Sequence, residues 1–225
     1  MNNREIEKNP EVPVLSDKAI KLLTELCFKK ADELSPADVL FVFGTSYGIS
    51  DIASAAENIL LRGLVPSVIA AGGAPMFPDT PKMSRSEAIE ILHALKIERF
   101  PMTVFRSESD SHNTQDNVRL SLKFPELAKA SKVIYLFRSH ACGRGFLTLK
   151  RYLPNAKLLA LPVDVSYQKG APPVSRDAWP AHLTSRGRVW GEFLRIERYG
   201  SRGDIHYPRE TQDMVEKIKR ETTRA

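Results

Sequence analysis

Two titratable side chains follow apolar segments of this sequence, in positions that suit proton transfer. Glu108 comes shortly after the segment 102–105, and His140 comes after the apolar run 132–137. Carboxylate and imidazole groups often act as general acids and bases near neutral pH. We therefore predict that His140 and Glu108 are the catalytic residues. Because Arg144 and a helix start lie nearby, His140 should be neutral and act as the base, unless Glu108 approaches it and the pair keeps a proton.

A second group of residues suits the binding of an anionic ligand. Glycines, hydroxyls, amides and one arginine follow the apolar runs, and backbone N–H groups with such side chains hold phosphates and nucleosides. The predicted binding residues are Gly44, Thr45, Ser46, Gly72, Gly73, Ser111, Asn113, Thr114, Asn117, Ser139 and Arg144. Tight turns and helix capping are the alternative roles for the glycines and for some of the residues between 108 and 117.

Several kinds of site are excluded by spacing. The glycines do not form G-x-G-x-x-G and no Walker A lysine follows them, so the dinucleotide fingerprint and the P-loop are absent. His112 and His140 lack a metal-ligand spacing, and we predict no metal. Cys142, beside His140, is a weaker candidate nucleophile. With Cys27 as the only other cysteine, a disulfide framework is excluded.

The elements that must position these residues alternate between strands and helices. Five short apolar runs indicate strands, at 39–43, 67–71, 102–105, 132–137 and 157–163. Helical patterns between them predict the α/β class: a three-layer sandwich with a largely parallel, Rossmann-like five-stranded sheet. We expect a single domain with its core at about 37–164, an N-terminal helix at 16–34 and a basic helical extension at 166–225.

Strand order determines which residues can meet. Ligands of open α/β sheets bind beyond the carboxyl ends of the strands, where the strand order reverses. In the order 3-2-1-4-5 the first and fourth strands are neighbours, so Thr45 and Ser46 would face Ser139 and His140. The sequence therefore predicts one crevice at this edge of the sheet.

The charge is unevenly distributed along the 225 residues. The net charge is 33 − 27 = +6, but residues 1–130 carry 15 − 18 = −3 and residues 131–225 carry 18 − 9 = +9. An arginine-rich half suggests an anionic partner, such as a phosphorylated small molecule, a nucleic acid or an acidic surface. A charged surface that only solubilises the protein is the alternative, because no run of five like charges occurs.

The order of motifs resembles the YdcF/SanA/ElyC family. The motifs are G-x-x-P-x-V-I-A-x-G-G from Gly63, S-E-A from Ser86, E-x-x-S-x-N-T-x-x-N from Glu108, and a strand ending in Ser-His with an arginine nearby. The resemblance covers about residues 37–164 and implies a Rossmann-like fold whose site is lined by these motifs. It also implies S-adenosylmethionine as a possible ligand, and an envelope role for membrane-anchored members. Here His140 and Arg144 are spaced H-x-x-x-R, where the family has H-x-x-R.

Together these observations predict a small anionic ligand that contains a nucleoside or phosphate. S-adenosylmethionine or a nucleotide-activated group would make the protein a group transferase. The alternatives are a non-catalytic envelope-related or regulatory binding protein, and a binder of nucleic acid or an anionic surface through the basic half. Nucleic acid is the less favoured partner, because Trp190 and Phe193 fit a packed amphipathic helix. No apolar run is long enough to span a membrane and the N-terminus lacks a signal-peptide pattern, so we expect a cytoplasmic protein.

Overall fold

The computed structural model describes residues 5–75, 80–168 and 170–223. Its centre is a five-stranded parallel sheet in the order β3-β2-β1-β4-β5, which confirms the predicted fold class. The strands are β1 Val39–Phe43, β2 Ser67–Ala71, β3 Val104–Glu108, β4 Lys132–Arg138 and β5 Lys157–Val163. Every residue of β1 and β2 is buried, as expected for central strands with helices on both faces.

Helices connect and cover these strands. They are α1 Asp17–Cys27, α2 Ile49–Leu61, α3 Glu87–Leu95, α4 Thr114–Ser121, α5 Pro125–Ala128, α6 Cys142–Tyr152, α7 Leu183–Arg202 and α8 Arg209–Thr223. Local capping fixes several of their starts. The hydroxyl of Ser16 accepts a hydrogen bond from the Ala19 amide, and the side chain of Asn113 accepts one from the Asp116 amide.

Three apolar clusters hold the layers together. On one face of the sheet, Leu40 and Val42 of β1 pack with α2 and α3. On the other face, Phe41 and Phe43 pack with α4 and α6, because side chains of a strand alternate between its faces. A third cluster joins α1, α7 and α8 around Trp179, and it forms an outer layer against α6.

The first helix is shorter than the sequence predicts. The prediction of a helix over 16–34 is wrong, because α1 ends at Cys27 and Phe28 is extended and buried. Beyond it, the amide of Asp32 donates to the carbonyl of Ala160 at 3.1 Å, and the Asp32 carboxylate accepts from the Ala160 amide at 2.6 Å. These bonds satisfy backbone groups at the outer edge of β5, which a continued helix would leave open.

The third strand lies later in the chain than predicted. The structure places β3 at Val104–Glu108, whereas Met102 is 92% exposed outside it. Glu108 is thus the last residue of the strand and pairs in register with Ala71 of β2. The strand is at the edge of the sheet and contains the exposed Arg106, so it lacks the apolar run by which buried strands are recognised.

Residues 5–9 form an N-terminal strap that lies across α7. The Arg195 guanidinium donates to two carbonyl oxygens of the strap, at 3.0 and 2.8 Å. Gly187 and Gly191 leave room for it: a β-carbon at Gly187 would lie 3.2 Å from that of Asn9, and one at Gly191 would lie 3.3 Å from two strap carbonyls. The two glycines therefore make a groove in α7 that the strap fills.

Within the described ranges, no helix combines the length and the apolar character needed to cross a membrane.

Candidate functional site

Two adjoining cavities lie at the carboxyl ends of the central strands. The first, the polar cavity, has a volume of about 140 Å³ and is lined by the segments after β1, β2 and β3. The second, the cationic cavity, has a volume of about 190 Å³ and lies between the end of β4 and one face of α7. The residues that line both are Lys8, His112, Asn113, Thr114 and Arg138. The two cavities therefore form one crevice, at the place where the strand order predicts a ligand site.

Two arginines of the cationic cavity, the half-buried Arg138 and the buried Arg188, have no carboxylate within ion-pair distance among the described residues. Arg138 ends β4, and its guanidinium donates to the Tyr167 hydroxyl at 3.0 Å. Arg188 of α7 stacks on the Tyr167 ring at 3.9 Å from its centroid and faces the Tyr47 ring at 5.7 Å. Neither forms an ion pair within the described parts of the chain, and the Nε atom of each is buried without a hydrogen bond. Glu87 and Glu192 act on Arg138, and Glu192 acts on Arg188, only from beyond ion-pair distance. Both arginines therefore keep N–H groups for a ligand that enters the cavity.

The other two arginines of this cavity, Arg144 and Arg195, interact with the carboxylate of Glu192. The Arg144 guanidinium donates to both carboxylate oxygens of Glu192, at 2.6 and 3.2 Å, and to the Thr114 hydroxyl. Arg195 approaches the same carboxylate at 3.6 Å. Burial alone would raise the pKa of Glu192, but Arg144 and Arg195 outweigh it and lower that pKa to about 2. Arg144, a predicted binding residue, thus lines the cavity with its charge already satisfied.

His140 lines the cationic cavity and is 2% exposed. Its Nε2 atom is 3.0 Å from the Tyr167 hydroxyl, while Nδ1 is buried and has no hydrogen bond in the part of the chain that is described. Burial, and then the charge of Arg138, hold the pKa of His140 well below its usual value. The imidazole is therefore neutral at pH 7, which is the state that a general base requires.

Eight predicted binding residues line the polar cavity: Gly44, Thr45, Ser46, Gly73, Ser111, Asn113, Thr114 and Asn117. Several of these side chains are held by local bonds. The Thr45 hydroxyl donates to the Tyr47 carbonyl at 2.7 Å, and Asn117 donates to the Ser111 hydroxyl at 2.7 Å. Asn113 caps α4 through its oxygen, so it combines the capping alternative with a place on the cavity wall.

Three predicted residues lie outside both cavities. Gly72 forms the turn between β2 and α3, where its carbonyl accepts from the Ala88 amide at 2.9 Å. Ser139 is buried and donates to the Asp164 carboxylate. Glu108 is fully buried and accepts from the Asp110 amide at 2.7 Å.

Glu108 and His140 are not brought together. β2 and β1 lie between the strands that carry them, a separation of about 14 Å at the usual strand spacing. The carboxylate whose charge acts on His140 is Glu192 of α7. Cys142 is also turned away from the crevice: its thiol lies 3.5 Å from the Phe137 carbonyl, and burial raises its pKa.

Two groups of lining residues are missing from the sequence-based prediction. One face of α7 contributes Arg188, Glu192, Arg195 and Tyr199. Their spacing of three to four residues is a polar stripe that the sequence does contain, but only tertiary packing places it over the strand ends. The second group lies on other elements and includes Lys8, Tyr47, Arg138 and Glu87. Glu87, at the first position of α3, lines the polar cavity and accepts from the Ser46 hydroxyl.

Comparisons with known proteins give no relative for this chain. No protein-family profile matches it, and no curated protein matches it significantly. The resemblance to the YdcF/SanA/ElyC family therefore stays a prediction from its motifs.

Proposed function

We propose that this protein binds a small phosphorylated ligand in the crevice, with the phosphate in the cationic cavity. The observation that carries the proposal is a pair of arginines, the half-buried Arg138 and the buried Arg188, whose Nε atoms are buried without a hydrogen bond and which have no carboxylate within ion-pair distance in the described chain. A buried charge without a counter-charge costs several kcal/mol, roughly 3–5 when an ion pair is broken. A bound phosphate would provide the missing charge and accept the N–H groups of arginine in paired hydrogen bonds.

The charge of the cavity favours a phosphate over S-adenosylmethionine. Five cationic side chains line the cationic cavity against two carboxylates, Glu5 and Glu192. S-adenosylmethionine has a sulfonium and an ammonium group beside its single carboxylate, so it brings net positive charge. A nucleotide or another phosphate ester brings negative charge and suits the cavity better.

The neutral imidazole of His140 supports transfer of a group from this ligand. In such a transfer, the acceptor hydroxyl or amine forms a bond to the group, and the bond from the group to the phosphate breaks. The phosphate keeps the bonding electron pair, and the acceptor's proton passes to His140. Arg138 and Arg188 would stabilise the charge that develops on the departing phosphate.

Calorimetric titration with inorganic phosphate and pyrophosphate tests the binding site. Wild-type protein should bind at least one of them, and Arg138→Gln and Arg188→Gln should each weaken binding by roughly 10- to 150-fold, the value of a charged hydrogen bond. Arg198→Gln is the matched control, because Arg198 lies on the same helix but is exposed and paired with Glu5 at 2.9 Å. Equal losses in all three variants, or no binding by wild type, would refute the proposal.

A further inference from the structure

The carboxylate of Glu87 lies beside two glycines, Gly44 and Gly72, which follow the neighbouring strands β1 and β2. A β-carbon at Gly44 would lie 2.5 Å from Oε2 of Glu87, and one at Gly72 would lie 3.0 Å from the same atom. Glycine at the end of β1 and glycine after β2 therefore leave the space that this carboxylate occupies. Glu87 belongs to α3, so it reaches this place from another element.

The position of the carboxylate is fixed by its surroundings. The Ser46 hydroxyl donates to Oε1, and the residue opens α3, where the helix dipole favours negative charge. Among the described residues that line the polar cavity, Glu87 is the only acidic one.

The rest of the polar cavity suits hydroxyl groups better than an apolar ring. Hydroxyl and amide side chains dominate its described lining: Thr45, Ser46, Thr80, Ser111, Asn113, Thr114 and Asn117. Arg138 lines both cavities, and the charges of Glu87 and Glu192 both act on it. If the phosphate of an ester binds to Arg138, the group esterified to it can extend into the polar cavity and face Glu87.

From this arrangement we infer that the ligand is a phosphate ester of a sugar, whose adjacent hydroxyls donate to Glu87 in the polar cavity. The inference rests on the proposed phosphate site and adds the class of the esterified group. Carboxylates recognise vicinal hydroxyls of ribose in this way at the ends of Rossmann-type strands. A free sugar phosphate and the ribose of a nucleotide both offer such adjacent hydroxyls. The experiment below distinguishes the two kinds of ligand.

The test compares inorganic phosphate with ribose 5-phosphate, glucose 6-phosphate, AMP and 2′,3′-dideoxy-AMP by calorimetry. At least one hydroxylated ester should bind wild-type protein ten times more tightly than inorganic phosphate. Glu87→Gln should remove that margin without weakening the binding of inorganic phosphate, because the lost carboxylate repels an anion, whereas Arg138→Gln should weaken the binding of both. Tighter binding of the sugar phosphates alone identifies a free sugar phosphate as the ligand. Tighter binding of AMP, but not of its dideoxy analogue, identifies a nucleotide bound through its ribose hydroxyls.

Retained phosphate binding also shows that Glu87→Gln is folded at the site. If inorganic phosphate binds but no ester binds more tightly, the sugar inference is wrong and the phosphate site stands. The same conclusion follows if Glu87→Gln keeps the full margin. If neither phosphate nor any ester binds wild-type protein, the proposed function fails and the inference fails with it.

Discussion

Arg138 and Arg188 differ from the exposed arginines in what neutralises them. Arg202 pairs with Glu5 at 3.0 Å in solvent, where such a pair contributes little to stability. Arg138 and Arg188 have aromatic and hydroxyl neighbours instead, and these do not neutralise a charge. The position of His140 after an apolar strand made it predictable from sequence, and Arg138 ends that same strand. Arg188 was not predictable as a site residue, because only the docking of α7 brings it to the crevice.

The buried imidazole should make stability depend on pH. In the unfolded chain His140 takes up a proton near pH 6.5, whereas burial lowers its pKa in the folded protein. The unfolded state therefore binds the extra proton as the pH falls below about 6.5, and the folded protein loses stability there. His140→Gln cannot titrate, so its stability should fall less between pH 6 and pH 5, by up to about 1.4 kcal/mol per pH unit.

Urea unfolding at pH 7, 6 and 5 measures this difference. His93→Gln is the control, because His93 is an exposed histidine on α3 and its variant should follow the wild-type curve. Glu192 does not disturb the comparison, since its pKa of about 2 makes its contribution fade only below about pH 4.5. Parallel curves for wild type and His140→Gln would show that the imidazole is not held neutral.

Among the elements, the strands with apolar runs and the helices between them are the ones that the sequence predicts well. β1 and β2 have the predicted bounds, because both are buried on two faces and contain no charged residue. β3 is displaced because an edge strand tolerates exposed polar residues, and these conceal its pattern. The end of α1 depends on a hydrogen bond between Asp32 and Ala160, residues 128 positions apart, and no local pattern records such a contact.

The contact between α7 and the strap should be sensitive to a side chain at Gly187. Gly187→Leu places a branched side chain against Asn9, and overpacking of this kind costs about 1–3 kcal/mol. The strap should detach before the helix unfolds, because the strap is short and lies at the surface. Hydrogen exchange of the amides of residues 6–9 should therefore become roughly 5- to 150-fold faster, while α7 keeps its protection.

Thr184→Leu, at an exposed position of the same helix, is the control and should leave the strap unchanged. Faster exchange throughout α7 in Gly187→Leu, or none at residues 6–9, would contradict the groove interpretation.

Part of the positive charge of the molecule is neutralised within it. Several basic side chains outside the crevice pair with carboxylates, as Lys219 of α8 does with Glu197 of α7 at 3.0 Å and Arg209 with Asp213 of the same helix at 2.9 Å. Trp190 stacks on the buried Phe193. The positive charge of residues 131–225 includes the guanidiniums of Arg138 and Arg188, which form no ion pair among the described residues and line a cavity. Because a cavity admits a small anion more readily than a long polyanion, this position favours a small anionic ligand.

A ligand that spans the crevice should stabilise the whole protein, because its contacts come from the sheet, α7 and the strap. At a concentration of one hundred times Kd, binding to the folded state alone adds about 2.7 kcal/mol, or about 5–10 °C in Tm for a chain of this size. Differential scanning fluorimetry with ribose 5-phosphate measures the shift. Arg138→Gln at the same concentrations should show almost none, and an equal shift in that variant would mean that the effect is not due to the site.

The crevice combines segments that lie far apart in the chain, from the strap to α7, and this determines when it can form during synthesis. A nascent chain that has emerged as far as Val163 contains all five strands, but it lacks Arg188 and Arg195 and the groove that receives the strap. Since synthesis proceeds from the N-terminus, such a chain would offer the proposed ligand only part of its site. The complete site would form only with the last stage, the docking of α7. Chains terminated before α7 would therefore lack the stabilisation that the proposed ligand gives through Arg188.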